Sequence, residues 1–419
     1  MNPERVIAGL DIGSAKTTVV IAEATGDLHR QASLKILGVG QARTTGLRRG
    51  IVADIEETTR SIKKAIEDAE RMAGTKIESI YAGIAGEHVR AMTSTGIVAV
   101  NGDEISRSDV NRANEVARAQ SIPGDRELLH AIPQEYTVDK NQGIRDPIGM
   151  IGTRLETEMY LVTIGSSPAM NLRKSVDRAG YHVKELVLEP LASALAVLTE
   201  DEKELGVALV EMGAGTTDVA IFHEGKIRHL ATVNFGGNNV TSDIVHGIGV
   251  TQTDAERLKE RYGCAYEPMV DPDDVVELPS TVAQGERHIP REVLAHIIHQ
   301  RMDEIFALVQ SEIQAAGYAN RLSGGIVVTG GAAAMQGVSE LVTDVFGTGV
   351  RIGVPTENIG GLSDSVEAPR FSTVVGLALY GANRLALGGA GAGGRRRAIS
   401  SPNVDRLAHK VKTWLQDFF

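Results

Sequence analysis

Apolar residues in this chain gather into short runs, and two of the runs repeat one design. Residues 6–21, VIAGLDIGSAKTTVVI, and residues 206–222, GVALVEMGAGTTDVAIF, each read as strand, glycine turn, strand. Laid over each other, Asp11 meets Glu211, Gly13 meets Gly213, Thr17 meets Thr217, Val19 meets Val219 and Ile21 meets Ile221. A repeat of this kind predicts two related half-domains.

The flanking pattern is mixed. Residues 34–40 predict a third strand. Ile55, Thr59, Ile62, Ile66, Ala69 and Ala73 recur at helical spacing, with Asp54 placed to start a helix and Gly74 to stop it. Residues 77–84 return to strand. This β-β-β-α-β order is α/β but not a βαβ unit. Residues 83–163 read as a separate small module, with strands at 96–100, 128–138 and 154–163 and a helix over 106–119. Further helices are expected over 168–180, 190–198, 290–316 and 373–387, strands over 183–188 and 230–235, and two helices with a break near 247–253 within 240–262. Residues 271–285 read as a loop or edge hairpin, and 325–338 as strand, glycine turn, helix. Residues 388–403 are a Gly-, Arg- and Ser-rich linker before a last short helix.

The 419 residues suffice for several cores. A net charge of −11 argues against nucleic-acid binding. The single Cys264 excludes an intrachain disulfide and suits a reducing compartment. No run of about 18 apolar residues is present, and the N-terminus lacks a signal-peptide core, so a cytoplasmic protein is expected. The charge is uneven: from Arg395 onward six Lys/Arg face two Asp/Glu.

Glycine turns let backbone N–H groups approach an anion with no Cβ in the way. Residues 13–17 and 213–217 offer this twice, with hydroxyls from Ser14, Thr17, Thr216 and Thr217 and the charge of Lys16. Asp11, Glu211 and Asp218 would repel bare phosphate. They make sense around a hydrated divalent cation, most simply Mg²⁺. Gly330 and Gly331 add a third turn. No GxxxxGK[ST] loop occurs, and no GxGxxG opens a helix after a strand.

DIGSAKTT, EMGAGTTDVAIF and VVTGGAAAM resemble the two phosphate motifs and the adenosine motif of the actin/Hsp70/sugar-kinase ATPase fold. LEPLASALAVL and FSTVVGLALYGA resemble its two connecting segments, and AERLK its adenine-side helix. TTGLRRGIVADIEET, AIEDAERMAG, IYAGIAGEHV, LLHAIPQEYTVD and DPIGMIGTRLE look more specifically like the bacterial cell-division family FtsA. That resemblance implies an actin-like ATPase fold of two related α/β halves around a nucleotide cleft. Residues 1–82, 164–202 and 371–387 would form the first half and 203–238 with 322–370 the second. Residues 83–163 would be the inserted FtsA-type subdomain and 239–321 a further subdomain of the second half. A C-terminal amphipathic helix, 404–419, would follow the flexible linker.

The resemblance also implies roles. The ATP-binding set would be Asp11, Gly13, Ser14, Ala15, Lys16, Thr17, Glu211, Gly213, Ala214, Gly215, Thr216, Thr217, Asp218, Gly237, Glu256, Lys259, Gly330, Gly331, Ala332 and Met335. Asp11 and Glu211 would reach Mg²⁺ through water; Glu211 stands where relatives usually have Asp. Glu189 aligns with a water-orienting acid, although it could equally cap the helix beginning near Pro190. At most weak ATP turnover is expected. Arg287, Arg291, Arg301 and Glu304 would receive the acidic tail of the tubulin-like FtsZ.

Val404, Leu407, Val411, Trp414, Leu415 and Phe418 recur at helical spacing, with Lys410 on another face and Phe419 following. This helix, about 24 Å long, is too short to span a bilayer and reads as an interfacial helix for an anionic membrane surface. The implied partners are FtsZ, further copies of the chain in filaments, and other division proteins. The implied place is the cytoplasmic face of the bacterial cell membrane at the septum. A pilus-type actin-like adaptor and a sugar kinase of the same fold are the competing readings.

Overall fold

The computed structural model describes residues 3–25, 32–278 and 287–389. The linker from residue 390 and the whole amphipathic segment, including Val404, Leu407, Lys410, Val411, Trp414, Leu415, Phe418 and Phe419, lie outside the described residues. No helix among the described residues is long and apolar enough to cross a membrane.

Each repeated motif becomes the centre of a sheet. The first sheet has six strands in the order His182–Leu188, Ser79–Ile84, Val6–Ile12, Lys16–Thr25, Ser33–Arg43, Ile359–Gly361. The second has five: Lys226–Val233, Thr217–His223, Val207–Met212, Ile326–Thr329, Val350–Ile352. The hairpins match in register. Asp11 pairs with Thr18 and Ile12 with Thr17; Glu211 pairs with Asp218 and Met212 with Thr217. In both, the first hairpin strand also has a parallel neighbour on its other side.

Helix Ile55–Ala73 shows how closely local chemistry sets an element. Asp54 Oδ1 accepts from the Glu57 N–H at 2.9 Å, and Gly74 closes the helix in the left-handed region at φ 65°. Its apolar stripe, Ile62, Ala65, Ile66 and Ala69, is fully buried against the first sheet. Each isoleucine so buried contributes on the order of 1.5–3 kcal/mol.

The inserted module is a four-stranded antiparallel sheet, Arg90–Ala99, Arg154–Gly165, Arg126–Val138, Asn141–Ile144, covered by helix Arg107–Arg118. Its first strand begins six residues earlier than the sequence pattern predicts, because this edge strand is largely exposed and lacks an apolar run. Ile132, Tyr160 and Val162 of the module join a core that also holds Val207, Phe222 and Ile227 of the second half. The module is therefore packed against both halves.

Two short elements escaped the hydrophobic pattern. Helix Glu200–Leu205 is almost wholly polar and rests on a capping box between Thr199 and Glu202. Ile359–Gly361, within the stretch assigned from sequence to the second half, instead pairs with Leu34–Ile36 at the edge of the first sheet. Residues 275–278 do form a hairpin arm, paired with Arg287–Pro290.

Helix Glu189–Val197 crosses helix Ser372–Gly389 beside the cleft. A Cβ on Gly376 would lie only 1.8 Å from the carbonyl oxygen of Ala192, so the backbones touch. Gly376→Ala must push the helices apart, and we expect a loss of about 1–3 kcal/mol. Urea unfolding at fixed nucleotide concentration measures it; an unchanged midpoint would show that the crossing is not tight.

Candidate functional site

Between the halves lies a cavity of about 730 Å³. Both hairpin tips reach it. The Gly13 N–H donates to the Lys16 carbonyl at 3.1 Å and the Gly213 N–H to the Thr216 carbonyl at 2.9 Å, so the two turns share a geometry. The tips also face each other: a Cβ on Gly215 would lie 2.7 Å from Ser14 Oγ. The N–H groups of Ser14, Ala15, Ala214 and Gly215 find no backbone acceptor among the described residues. They are the kind of donors an anion needs.

The third turn closes the far wall. Gly330 has φ +90°, and a Cβ there would strike the Met212 carbonyl oxygen at 2.5 Å. Gly331 opens onto free space, with Ala332 and Met335 beside it in the lining. Gly237, at the start of helix Gly237–Ile244, braces the second tip by donating to the Gly213 carbonyl at 3.0 Å. Glu256 and Lys259 line the cavity next to it. Lys259 Nζ is held by the Gly237 carbonyl, Thr241 Oγ1 and Glu256 Oε2 at 2.8–3.0 Å.

Two residues in the sequence-derived set face elsewhere. Thr17 is buried with its hydroxyl 2.8 Å from that of Thr44, and Thr217 donates to the Phe235 carbonyl at 2.9 Å. Their hydroxyls brace the hairpins, while the neighbours Thr18 and Thr216 line the cavity. Strand alternation explains this, since one residue's shift reverses the face.

Four carboxylates form the inner wall: Asp11, Glu189, Glu211 and Asp218. No cationic side chain pairs with any of them among the described residues. Burial, then the charge of Glu211, raises the Asp11 pKa to about 7. Burial raises Glu211 to about 7 despite its hydrogen bonds, and Asp218 to about 6. Glu189 is raised well above its ordinary value by burial and by its three acidic neighbours. It is the first residue of its helix and makes no capping hydrogen bond. Its side chain lies over Gly83 instead, where a Cβ would be 2.8 Å from Glu189 Cγ.

Glu211 is anchored in a way the motif does not reveal. Ser193 Oγ donates to its Oε2 at 2.8 Å, Thr373 donates to its Oε1, and the two hydroxyls lie 3.1 Å apart. Ser193 and Thr373 come from the two crossing helices. The extra methylene of Glu carries the carboxylate back to them. Asp218 is held by Thr232 at 2.6 Å and Thr216 at 3.2 Å. No cluster of three ligands for direct metal coordination occurs among the described residues. Acids around an open cavity suit a cation that keeps its water.

Of the residues expected to bind the FtsZ tail, Arg301 is paired with Asp243 and Glu304, and Arg291 with Asp274. Arg291 also lines the cavity. Arg287 donates to the Ile248 carbonyl at 3.0 Å and has no carboxylate partner among the described residues.

The acid wall has a measurable consequence. Raised folded-state pKa values mean that protons are held more tightly folded than unfolded. The stabilisation is complete below the unfolded values near 4 and is lost as pH rises through about 7. The melting temperature of ligand-free protein should fall between about pH 4 and pH 7. Glu211→Gln should flatten that slope, and Mg²⁺ with nucleotide should reverse it. A slope untouched by Glu211→Gln would show that these acids are already charged and compensated.

The chain matches the model of Cell division protein FtsA over residues 208–376 and that of the SHS2 domain inserted in FTSA over residues 86–163. Cell division protein FtsA of Pseudomonas aeruginosa is 40% identical over 99% of this chain and 98% of its own length. Its Escherichia coli counterpart is 38% identical over 90% of each. Among solved structures, a PilM–PilN type IV pilus biogenesis complex aligns with TM-score 0.63 at 16% identity, covering 90% of this chain and 98% of that one. MreB5 of Spiroplasma citri bound to ADP aligns with TM-score 0.56 at 15% identity, covering 93% and 100%. The structural likenesses establish an actin-like fold, and the sequence likeness over nearly the whole length establishes more: the chain belongs to the FtsA family of cell division proteins.

Proposed function

We propose that this cell division protein binds ATP with Mg²⁺ in the cleft and uses it to govern self-association into filaments. The observation that carries this reading is the pair of matched glycine turns closing from opposite halves above four unpaired carboxylates. The turn amides, with Lys16 beside them, would take the phosphates. Asp11 and Glu211 would hold the hydrated cation, which supplies the charge that lets all four acids ionise. Glu256, Lys259, Gly237, Gly330, Gly331, Ala332 and Met335 would surround the nucleoside. Glu189 would orient the water in slow turnover.

The same reading places two attachments on the protein. The acidic FtsZ tail would meet the subdomain of residues 239–321, with Arg287 as its charge partner and Arg291, Arg301 and Glu304 alongside. Residues 404–419 would lie on anionic lipid at the cytoplasmic face of the cell membrane, with Trp414 and Phe418 in the apolar layer and Lys410 towards the headgroups. FtsZ would thereby be tied to the membrane at the septum, where further division proteins assemble. The likeness to MreB5, itself solved with ADP, supports the cleft assignment.

Co-sedimentation with anionic vesicles tests the attachments. Full-length protein with Mg²⁺·ATP should pellet and carry FtsZ with it, and a chain ending at Gly394 should not pellet. Trp414→Glu should abolish pelleting and leave ATP binding intact. Pelleting without FtsZ would overturn the partner assignment, and full-length protein left in the supernatant would overturn the membrane assignment.

A further inference from the structure

One side chain of the inserted module hydrogen-bonds to the backbone beside Glu189. His130 stands near the middle of strand Arg126–Val138 and is 5% exposed. Its Nε2 accepts the backbone N–H of Leu188 at 3.1 Å. Leu188 ends strand His182–Leu188 and immediately precedes Glu189. A buried N–H at that point needs an acceptor, and here it comes from a different subdomain.

The surroundings hold the ring in one state. For Nε2 to accept, the imidazole must be neutral with its proton on Nδ1. Burial lowers its pKa to about 4; Glu185 pulls the other way and Arg384 adds to the lowering. The ring meets Tyr380 edge-on at 6.3 Å between centroids, and Tyr380 belongs to the crossing helix Ser372–Gly389. Ile132 and Tyr160 of the module fill the same core. Strand Arg126–Val138 is paired along its length with Arg154–Gly165, so His130 cannot shift without the module's sheet.

We propose that His130 is a positioning residue for Glu189, through which a load on the inserted module reaches the nucleotide cleft. This rests on the reading of Glu189 as the group that orients the attacking water. In that reaction the water oxygen bonds to the γ-phosphorus, and the bond to the β,γ-bridging oxygen breaks with its electron pair on ADP. One water proton remains on hydrogen phosphate, and the other leaves by way of the Glu189 carboxylate to solvent. The rate depends steeply on where that carboxylate stands; its side chain lies against Gly83, and the N–H of the residue before it is held by His130. A neighbour that engages the module and shifts its sheet would therefore alter turnover without touching nucleotide.

The test uses the full chain with Mg²⁺·ATP and two variants. His130→Leu removes the acceptor and keeps apolar bulk; His130→Gln restores an acceptor oxygen. His130→Leu should lower turnover at saturating ATP by about tenfold with the ATP dissociation constant changed less than about twofold. Amide exchange at Leu188 should quicken in the same variant, and His130→Gln should recover both. Wild-type turnover in His130→Leu, or a loss confined to ATP affinity and melting temperature, overturns the proposal. So does a wild-type chain that binds ATP and never hydrolyses it, since no water then needs orienting. A wild-type chain that fails to bind Mg²⁺·ATP overturns the nucleotide reading itself.

Discussion

Everything in the cleft depends on two helices meeting at backbone contact. Helix Glu189–Val197 and helix Ser372–Gly389 cross where Gly376 lies against the Ala192 carbonyl. Glu189 is the first residue of one; Thr373 is the second residue of the other. Ser193 sits one turn further along. The crossing thus fixes one acid of the wall directly and a second, Glu211, through two hydroxyls. A disturbance of this contact would therefore reach both acids, because interiors packed at this density do not stretch.

The acid wall is a second constraint, and it opposes the first. Packing drives four carboxylates into a buried surface, where each resists losing its proton. The ligand-free cleft is therefore under electrostatic tension near neutral pH. A hydrated cation would relieve it, and any species binding the folded state alone adds to stability. Binding and fold stability are linked here through the same side chains. Glu211 shows the adjustment made within that constraint: its longer side chain reaches the hydroxyls of Ser193 and Thr373, which an Asp on the same strand would leave further away.

Much of this was legible in the residues. The twin hairpins, the caps of helix Ile55–Ala73, the long helix Arg291–Ala315 and the paired glycines at 330 and 331 all carry strong local signals: period, punctuation and repeated spacing. Strand Arg90–Ala99 was underestimated because an exposed edge carries no apolar run. Ile359–Gly361 carries no readable strand signal, because a three-residue strand takes its partner from whatever backbone lies beside it. Ser193, Thr373, Gly83 and His130 lie inside segments that carry the family likeness, but nothing in those segments gives them a role at the cleft. They act through contacts with residues 18 to 180 positions away.

By itself, then, the sequence determined the two α/β halves, the three glycine turns, the family and the acids at the hairpins. Each is written in neighbouring residues, as turn chemistry, strand alternation and helical spacing. Tertiary structure alone decided which Thr of each pair faces the cleft. It also decided that Glu211 is clamped by two helices and that a histidine from the inserted module supports the backbone beside Glu189. Those are outcomes of packing, and packing brings together side chains whose separation along the chain bears no relation to their separation in space.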